Sequence, residues 1–221
     1  MKKDKNIILD NFIWRFSERC GAQLVTAVVT LLLARILMPE DYGRTALVAV
    51  FINILQVFID SGLGTALIQK KDADDLDFSS VFYFNFAVCL VLYAGMFIAA
   101  PYIAAFYKDP SLTPVVRVAS LTLVFSGVKG IQQAYVSRNM LFKRFFFATL
   151  GGTLFSAFLG LGMAYAGFGV WALVVQQLSN TAIDTLILWL TVHWRPKAVF
   201  SWQRLKGLLS YGWRLLASSL L

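Results

Sequence analysis

The stretch SSVFYFNFAVCLVLYAGMFIAAPYIAAF, residues 79–106, decides the fold. It holds no charged residue. As a helix rising about 1.5 Å per residue it is long enough to cross a hydrocarbon core of about 30 Å, which takes about 20 apolar residues. Working outward, similar runs cover residues 16–37, 45–68, 114–135, 145–168 and 170–192, with short polar segments between them. Most of these runs lack the wet face that an amphipathic helix of a soluble domain shows. Composition agrees: 58% of the 221 residues are apolar and 14% are charged, and the mean hydropathy is +0.68. The pattern predicts an all-α, polytopic transmembrane bundle of about six spans. A seventh apolar run opens near Gly207 and reaches Leu221, the start of a further unit or a short last helix.

The charge distribution predicts an orientation. Lys2, Lys3 and Lys5 precede the first span, Lys70 and Lys71 follow the second, Arg138, Lys143 and Arg144 follow the fourth, and Arg195, Lys197, Arg204 and Lys206 follow the sixth. The alternate loops offer only Lys108, with Arg35 and Arg44 flanking the first turn. The positive-inside bias places the N-terminus in the cytoplasm. It also accounts for the net charge of +8 without a nucleic-acid partner. The basic start is not a cleavable signal peptide, because the apolar stretch after it carries Arg15, Glu18 and Arg19 and continues to full span length. Cys20 and Cys89 fall inside spans and read as small apolar residues, not as a disulfide framework.

Pro39 and Gly43, Pro110, and Gly167 with Gly169 break the chain at the outer turns. Such short connections make neighbouring helices antiparallel. Residues 193–206 read as an amphipathic linker, too polar to span, with Trp194 and Trp202 at headgroup level. The expected organisation is a lobe over residues 1–192, the linker over 193–206, and the start of a second lobe over 207–221. A short echo, Trp14-Arg15-Phe16 against Trp213-Arg214-Leu215, fits a repeated helical unit.

Ionisable groups inside spans are rare and costly, about 2.5–3.5 kcal/mol each at a helix centre on insertion scales, and they face a bundle interior or water. Here they are Arg15, Glu18, Arg19, Asp60, Arg117, Lys129 and Asp184. Arg117 lies near an outer end and reads as snorkelling. Helical spacing aligns Arg15, Arg19, Ala22, Thr26 and Thr30 on span one, and Asn53, Gln56, Asp60 and Gly64 on span two. It aligns Thr122, Ser126, Lys129 and Gln133 on span four, and Gln177, Asn180, Asp184 and Thr191 on span six. Four polar stripes predict a shared wet cavity. Interhelical ion pairs that only hold the bundle together, with Glu18, Asp60 and Asp184 neutralising Arg19 and Lys129, are the competing account of the same charges. On span five, Ala148, Gly152, Ser156, Gly160 and Ala164 form a small-residue ridge suited to close helix packing.

Catalytic signals are poor. His193 is the single histidine, the two cysteines lack metal-site spacing, and no Gly-rich phosphate loop is present. No metal or cofactor is expected.

Four segments carry a family resemblance: ARILMPEDYG (34–43), DSGLGTALIQ (60–69), SRNMLFK (137–143) and GFGVWALV (167–174). Each is similar to the corresponding turn or loop of Wzx-type O-antigen and capsule flippases, within the multidrug/oligosaccharidyl-lipid/polysaccharide exporter group. The resemblance implies one lobe of a two-lobed, MATE-like transporter. It implies an inner-membrane carrier, not an enzyme, that turns undecaprenyl-diphosphate-linked oligosaccharide across the bilayer for lipopolysaccharide, capsule or exopolysaccharide synthesis. Arg15, Arg19 and Lys129 would supply positive charge on the path of the lipid diphosphate, with Asn53, Gln56, Gln177 and Asn180 as its polar lining. Glu18, Asp60 and Asp184 are the ion-coupling or ion-pair candidates. The implied partners are the lipid-linked oligosaccharide, membrane lipids, and a polysaccharide polymerase and glycosyltransferases. The rival readings are a cation-coupled drug exporter of the same fold group, whose cavity would be net acidic, and an integral membrane enzyme or assembly subunit of envelope synthesis.

Overall fold

Lipid offers backbone amides and carbonyls no partner, so a spanning chain pairs them within its own helices. The computed structural model follows that rule. It describes the backbone over residues 2–60, 62–70 and 72–219, and the side chains over 13–59, 62–70, 72–141, 143–210 and 212. Among the described residues there are nine helices and no strand. They are α1 (Lys2–Ile36), α2 (Pro39–Asp60), α3 (Leu63–Gln69), α4 (Asp75–Phe106), α5 (Leu112–Ala119), α6 (Leu121–Arg138), α7 (Phe142–Tyr165), α8 (Val170–Thr191) and α9 (Trp202–Ser219).

Five stretches are long and apolar enough to cross a membrane: Ile13–Ile36, Pro39–Gln69, Asp75–Phe106, Leu112–Arg138 and Lys143–Tyr165. The chain is a multi-pass membrane protein with an all-α bundle. The sixth expected span differs. Helix α8 has the length, 22 residues, but Gln176, Gln177, Asn180 and Asp184 lower its hydropathy. It compensates by packing: Val170, Ala172, Leu173, Val174, Asp184, Thr185 and Leu188 are buried against neighbours. The helix expected to open near Gly207 begins at Trp202, within the segment read as a linker.

The second span is broken. Gly62 takes a left-handed φ of 70° between α2 and α3, and a Cβ there would lie 2.6 Å from the carbonyl oxygen of Gly212 on α9. Only glycine allows both the turn and that approach.

The turns gather at two ends. At one, Arg44 Nε donates to Asp109 Oδ2 at 2.7 Å, tying the start of α2 to the α4–α5 turn. Gly169, at φ 52°, brings the α7–α8 turn so close that its Cβ would meet the Asp41 carboxylate at 3.1 Å. At the other end lies the basic set of loops. There the strap over residues 192–201 has no helix of its own, so its polar groups find partners elsewhere. The Lys197 and Ser201 amides donate to Ser79 Oγ and Ser80 Oγ at 3.0 and 2.9 Å, and Gln132 Nε2 donates to the Trp194 carbonyl at 3.2 Å. Trp194, expected to present its ring to lipid headgroups, packs inward against the bundle. It is buried beside Phe78 and Tyr135, with ring centroids 5.6 and 6.0 Å away, and its Nε1 donates to Asp75 at 3.2 Å.

Three arginines of this end close helix C-termini, whose last carbonyls have no intrahelical donor. Arg138 donates to the carbonyls of Leu67 and Lys70 at the end of α3. Arg144 donates to Thr191 of α8. Arg195 donates to Trp189, Val192 and Trp194.

The interior comprises three apolar clusters. One, around Leu67, Phe82, Ile131, Leu188 and Leu205, underlies the basic end. A second, around Ile52, Met96, Val116 and Val174, underlies the other end. The third joins Val29, Leu33 and Leu37 of α1 to Ala157 and Ala164 of α7 and Ala172 of α8. The small-residue ridge of α7 faces α8: a Cβ on Gly160 would lie 2.9 Å from Gln176 Cβ, and one on Gly152 would lie 3.0 Å from the Asn180 carbonyl. Small residues there let the two backbones approach closely.

Candidate functional site

Four ionisable side chains of the helices form two separate pairs. On α1, Arg15 Nη1 donates to Glu18 Oε2 at 2.6 Å. The spacing of three residues puts both on one helix face. Glu18 is 7% exposed, and its other oxygen accepts from Thr149 Oγ1 of α7 at 3.2 Å. The Arg15 guanidinium also lies over the Phe145 ring, 4.8 Å from its centroid, a cation–π contact.

The second pair crosses helices. Lys129 Nζ of α6 donates to Asp184 Oδ2 of α8 at 2.7 Å. Asp184 is 6% exposed, and its Oδ1 has no hydrogen-bond partner among the described residues. A buried carboxylate oxygen left this way is costly.

One to two turns further along these helices, towards the α7–α8 turn, lies a polar pocket of about 150 Å³ lined by Thr26 and Val29 of α1, Thr153 and Ser156 of α7, and Gln176, Gln177 and Asn180 of α8. The expected stripes of spans one and six thus meet, with α7 between them. The sequence pointed to Gln177 and Asn180; Thr153 and Gln176 were not singled out, because nothing in their spacing distinguishes them from packing residues. Thr149, the hydroxyl that reaches Glu18, was missed for the same reason.

Arg19 stands apart. It is exposed on α1, makes no hydrogen bond or ion pair with a described residue, and lines an open hollow of about 500 Å³ with Glu18, Cys20, Ala22 and Gln23. Glu18 therefore pairs with Arg15, its own helix neighbour, and not with Arg19. On α2, Asn53 is exposed and Gln56 half-buried; neither lines the α1–α7–α8 pocket. The side chain of Asp60 lies outside the described residues.

The basic end holds a denser cluster. Asp77, fully buried, accepts from Lys70 Nζ at 2.5 Å and lies 3.5 Å from Arg204 Nη1. Asp74 and Asp77 cap the start of α4 reciprocally, a capping box. The Asp77 amide donating into the Asp74 carboxylate holds that carboxyl below its ordinary 3.8. At the opposite end the Ser111 hydroxyl, assisted by Arg44, does the same for Asp109. The D-x-x-D spacing ahead of an apolar run was the available signal for this cap. Among the described residues no group of His, Cys, Asp and Glu is arranged to hold a metal ion.

The profile of a family described as "Polysaccharide biosynthesis protein" matches residues 32–221. The succinoglycan biosynthesis transport protein ExoT of Rhizobium meliloti is 25% identical over 95% of this chain and 42% of its own length. The teichuronic acid biosynthesis protein TuaB of Bacillus subtilis is 30% identical over 75% of this chain and 35% of its own length. The lipopolysaccharide biosynthesis protein WzxC of Escherichia coli is 24% identical over 86% of this chain and 39% of its own length. The chain thus spans about two fifths of the length of the curated relatives it matches. No solved structure matches it.

Proposed function

The chain belongs to the polysaccharide biosynthesis protein family, and from that premise we propose that it forms one lobe of a carrier that exports polysaccharide precursors. The cargo in this reading is an undecaprenyl-diphosphate-linked oligosaccharide, moved across the bacterial inner membrane for O-antigen, capsule or exopolysaccharide assembly. The basic end faces the cytoplasm, as the positive-inside bias favours. The relatives' greater length supports a second lobe completing the path. A polymerase and glycosyltransferases are the proposed protein partners, and the chemistry is transport, not catalysis.

Arg19 carries this reading. An arginine in a spanning helix, exposed and without a partner among the described residues, costs about 2.5–3.5 kcal/mol in hydrocarbon. Water or an anion beside it removes that cost, and a lipid diphosphate is such an anion. The neighbouring polar pocket at Gln177 and Asn180 supplies neutral donors and acceptors for the glycan. Lys129, Arg15, Asn53 and Gln56 are proposed further along the path. Asp184, with its unpartnered oxygen, is the proposed ion-coupling group, with Glu18 and Asp60 as the other candidates.

The test is flipping of fluorescent lipid-linked oligosaccharide in vesicles reconstituted with the complete two-lobed carrier. Arg19→Ala slows flipping about tenfold or more, the scale of losing a hydrogen bond to a charged group, while the amount in the membrane is unchanged. Arg19→Lys retains part of the rate, because it keeps the charge and loses the fork. Unchanged flipping by Arg19→Ala overturns the assignment.

A further inference from the structure

A second polar cavity, of about 250 Å³, lies between α3, α4 and α6 and touches none of the charged pairs. Its polar lining is Thr65 of α3, Asn85 of α4, and Ser126, Gln133 and Ser137 of α6. Among the described residues no ionisable side chain lines it.

The state of these side chains is unusual for this bundle. Serine and threonine in apolar helices ordinarily bond back to the carbonyl three or four residues earlier. Thr26, Thr45, Ser120, Thr153, Thr185 and Thr191 all do so. The hydroxyls of Thr65, Ser126 and Ser137, and the amide of Gln133, make no hydrogen bond to a described residue. Asn85, 5% exposed, gives its Nδ2 to the Gly127 carbonyl at 3.3 Å, which fixes the amide at the cavity wall. Thr65 is exposed and Ser126, Gln133 and Ser137 are half-buried, so their polar groups are open to a partner that enters the cavity. The same cavity has an apolar wall, from Ile59, Leu63 and Ile68.

We propose that this cavity binds a single neutral sugar ring. Hydroxyls and carboxamides match the donor and acceptor pattern of sugar hydroxyls, and the aliphatic wall matches the C–H face of a pyranose. The described lining carries hydroxyls and carboxamides and no charge, which favours a neutral ligand. The volume is below the roughly 300–1,000 Å³ of drug-sized pockets, so one ring fits and an oligosaccharide does not. Ser137 and Ile68 lie near the α6 and α3 ends at the basic loops, so the site reads a sugar at that end. The proposal rests on the carrier reading for its biological meaning, as a subsite that selects the cargo's glycan.

Saturation-transfer NMR on the chain in nanodiscs tests it, with methyl β-glucoside, methyl β-galactoside and the methyl glycoside of N-acetylglucosamine as probes, and inorganic phosphate as the anionic control. At least one glycoside shows transfer, and phosphate does not compete. Gln133→Leu, which keeps the volume, weakens binding about fivefold, the scale of one neutral hydrogen bond. Ser126→Ala and Ser137→Ala each remove one oxygen and serve if Gln133→Leu fails to fold. No transfer from any glycoside to the wild-type chain, or equal transfer in every variant, overturns the site and leaves a water-filled cavity. The vesicle assay reads the carrier independently. Flipping without glycoside binding removes the subsite alone, and glycoside binding without flipping removes the carrier reading alone.

Discussion

Helix α1 and the α6–α8 seam each bury one carboxylate, and they hold it in different ways. Glu18 takes its cation from its own helix, three residues away, and only the Thr149 hydroxyl reaches it from another. Asp184 takes its cation from a different helix altogether. Burial follows the same division. The apolar window of Ile13–Ile36 is 11% buried, against 44% for that of Leu112–Arg138. The seam is the more deeply packed of the two, held by a charge pair that neither helix satisfies alone. Helix α1 brings its own neutralising partner, so it can present Arg19 on an open face while leaning on the bundle through Val29, Leu33 and Leu37.

The comparison predicts unequal costs. Lys129→Ala strands a buried carboxylate and destabilises the bundle by about 3–5 kcal/mol, read as a large drop in thermal midpoint in detergent. The double variant Lys129→Ala with Asp184→Leu recovers much of that loss, because an apolar replacement of the whole pair leaves no charge behind. Arg15→Ala costs less, about 1–3 kcal/mol, because the Thr149 hydroxyl still bonds the buried Glu18 carboxylate. Equal losses at Arg15 and Lys129 would break the distinction between the two regions.

The smallest effect concerns the two ends of the bundle. The Asp74 and Asp109 carboxyls are held below their ordinary 3.8 in the fold, so the folded state favours their ionised forms. That stabilisation is complete above pH 3.8 and is lost as pH falls through the lower folded values. Both groups face water, so the midpoint falls only slightly between pH 5 and pH 3. Asp109→Asn removes the share of the Arg44 end, and Asp74→Asn removes that of the α4 cap.

Much of this arrangement was legible in the sequence. Apolar runs of span length between basic and breaker-rich loops admit little besides a helical membrane bundle. The stripe of span six led to Asp184, Gln177 and Asn180, because charges and amides are conspicuous in an apolar run. Three things were not legible. Which cation meets which carboxylate depends on helix rotation, so Arg15 and not Arg19 as the Glu18 partner could not be read from spacing alone. The break at Gly62 depends on the approach of Gly212 from a distant helix. The extended strap needed Ser79, Ser80 and Gln132 to satisfy it, side chains that carry no mark in the one-dimensional pattern. The same holds for the neutral cavity: Ser126 and Gln133 stood in a predicted stripe, but Asn85 and Thr65 come from other helices.

The arginines at the basic end have a double duty in the life of the chain. During insertion, Arg138, Arg144 and Arg195 act as positive charge alone, and any cation at those positions gives the same topological address. After folding, the same side chains are donors to the last carbonyls of α3 and α8. Lysine in their place would deliver each segment to the same side of the membrane, yet it lacks the planar fork that lets Arg138 and Arg195 each reach more than one carbonyl. Arginine at these three positions therefore matters after the translocon has finished its work, at helix ends that only the assembled bundle brings within reach.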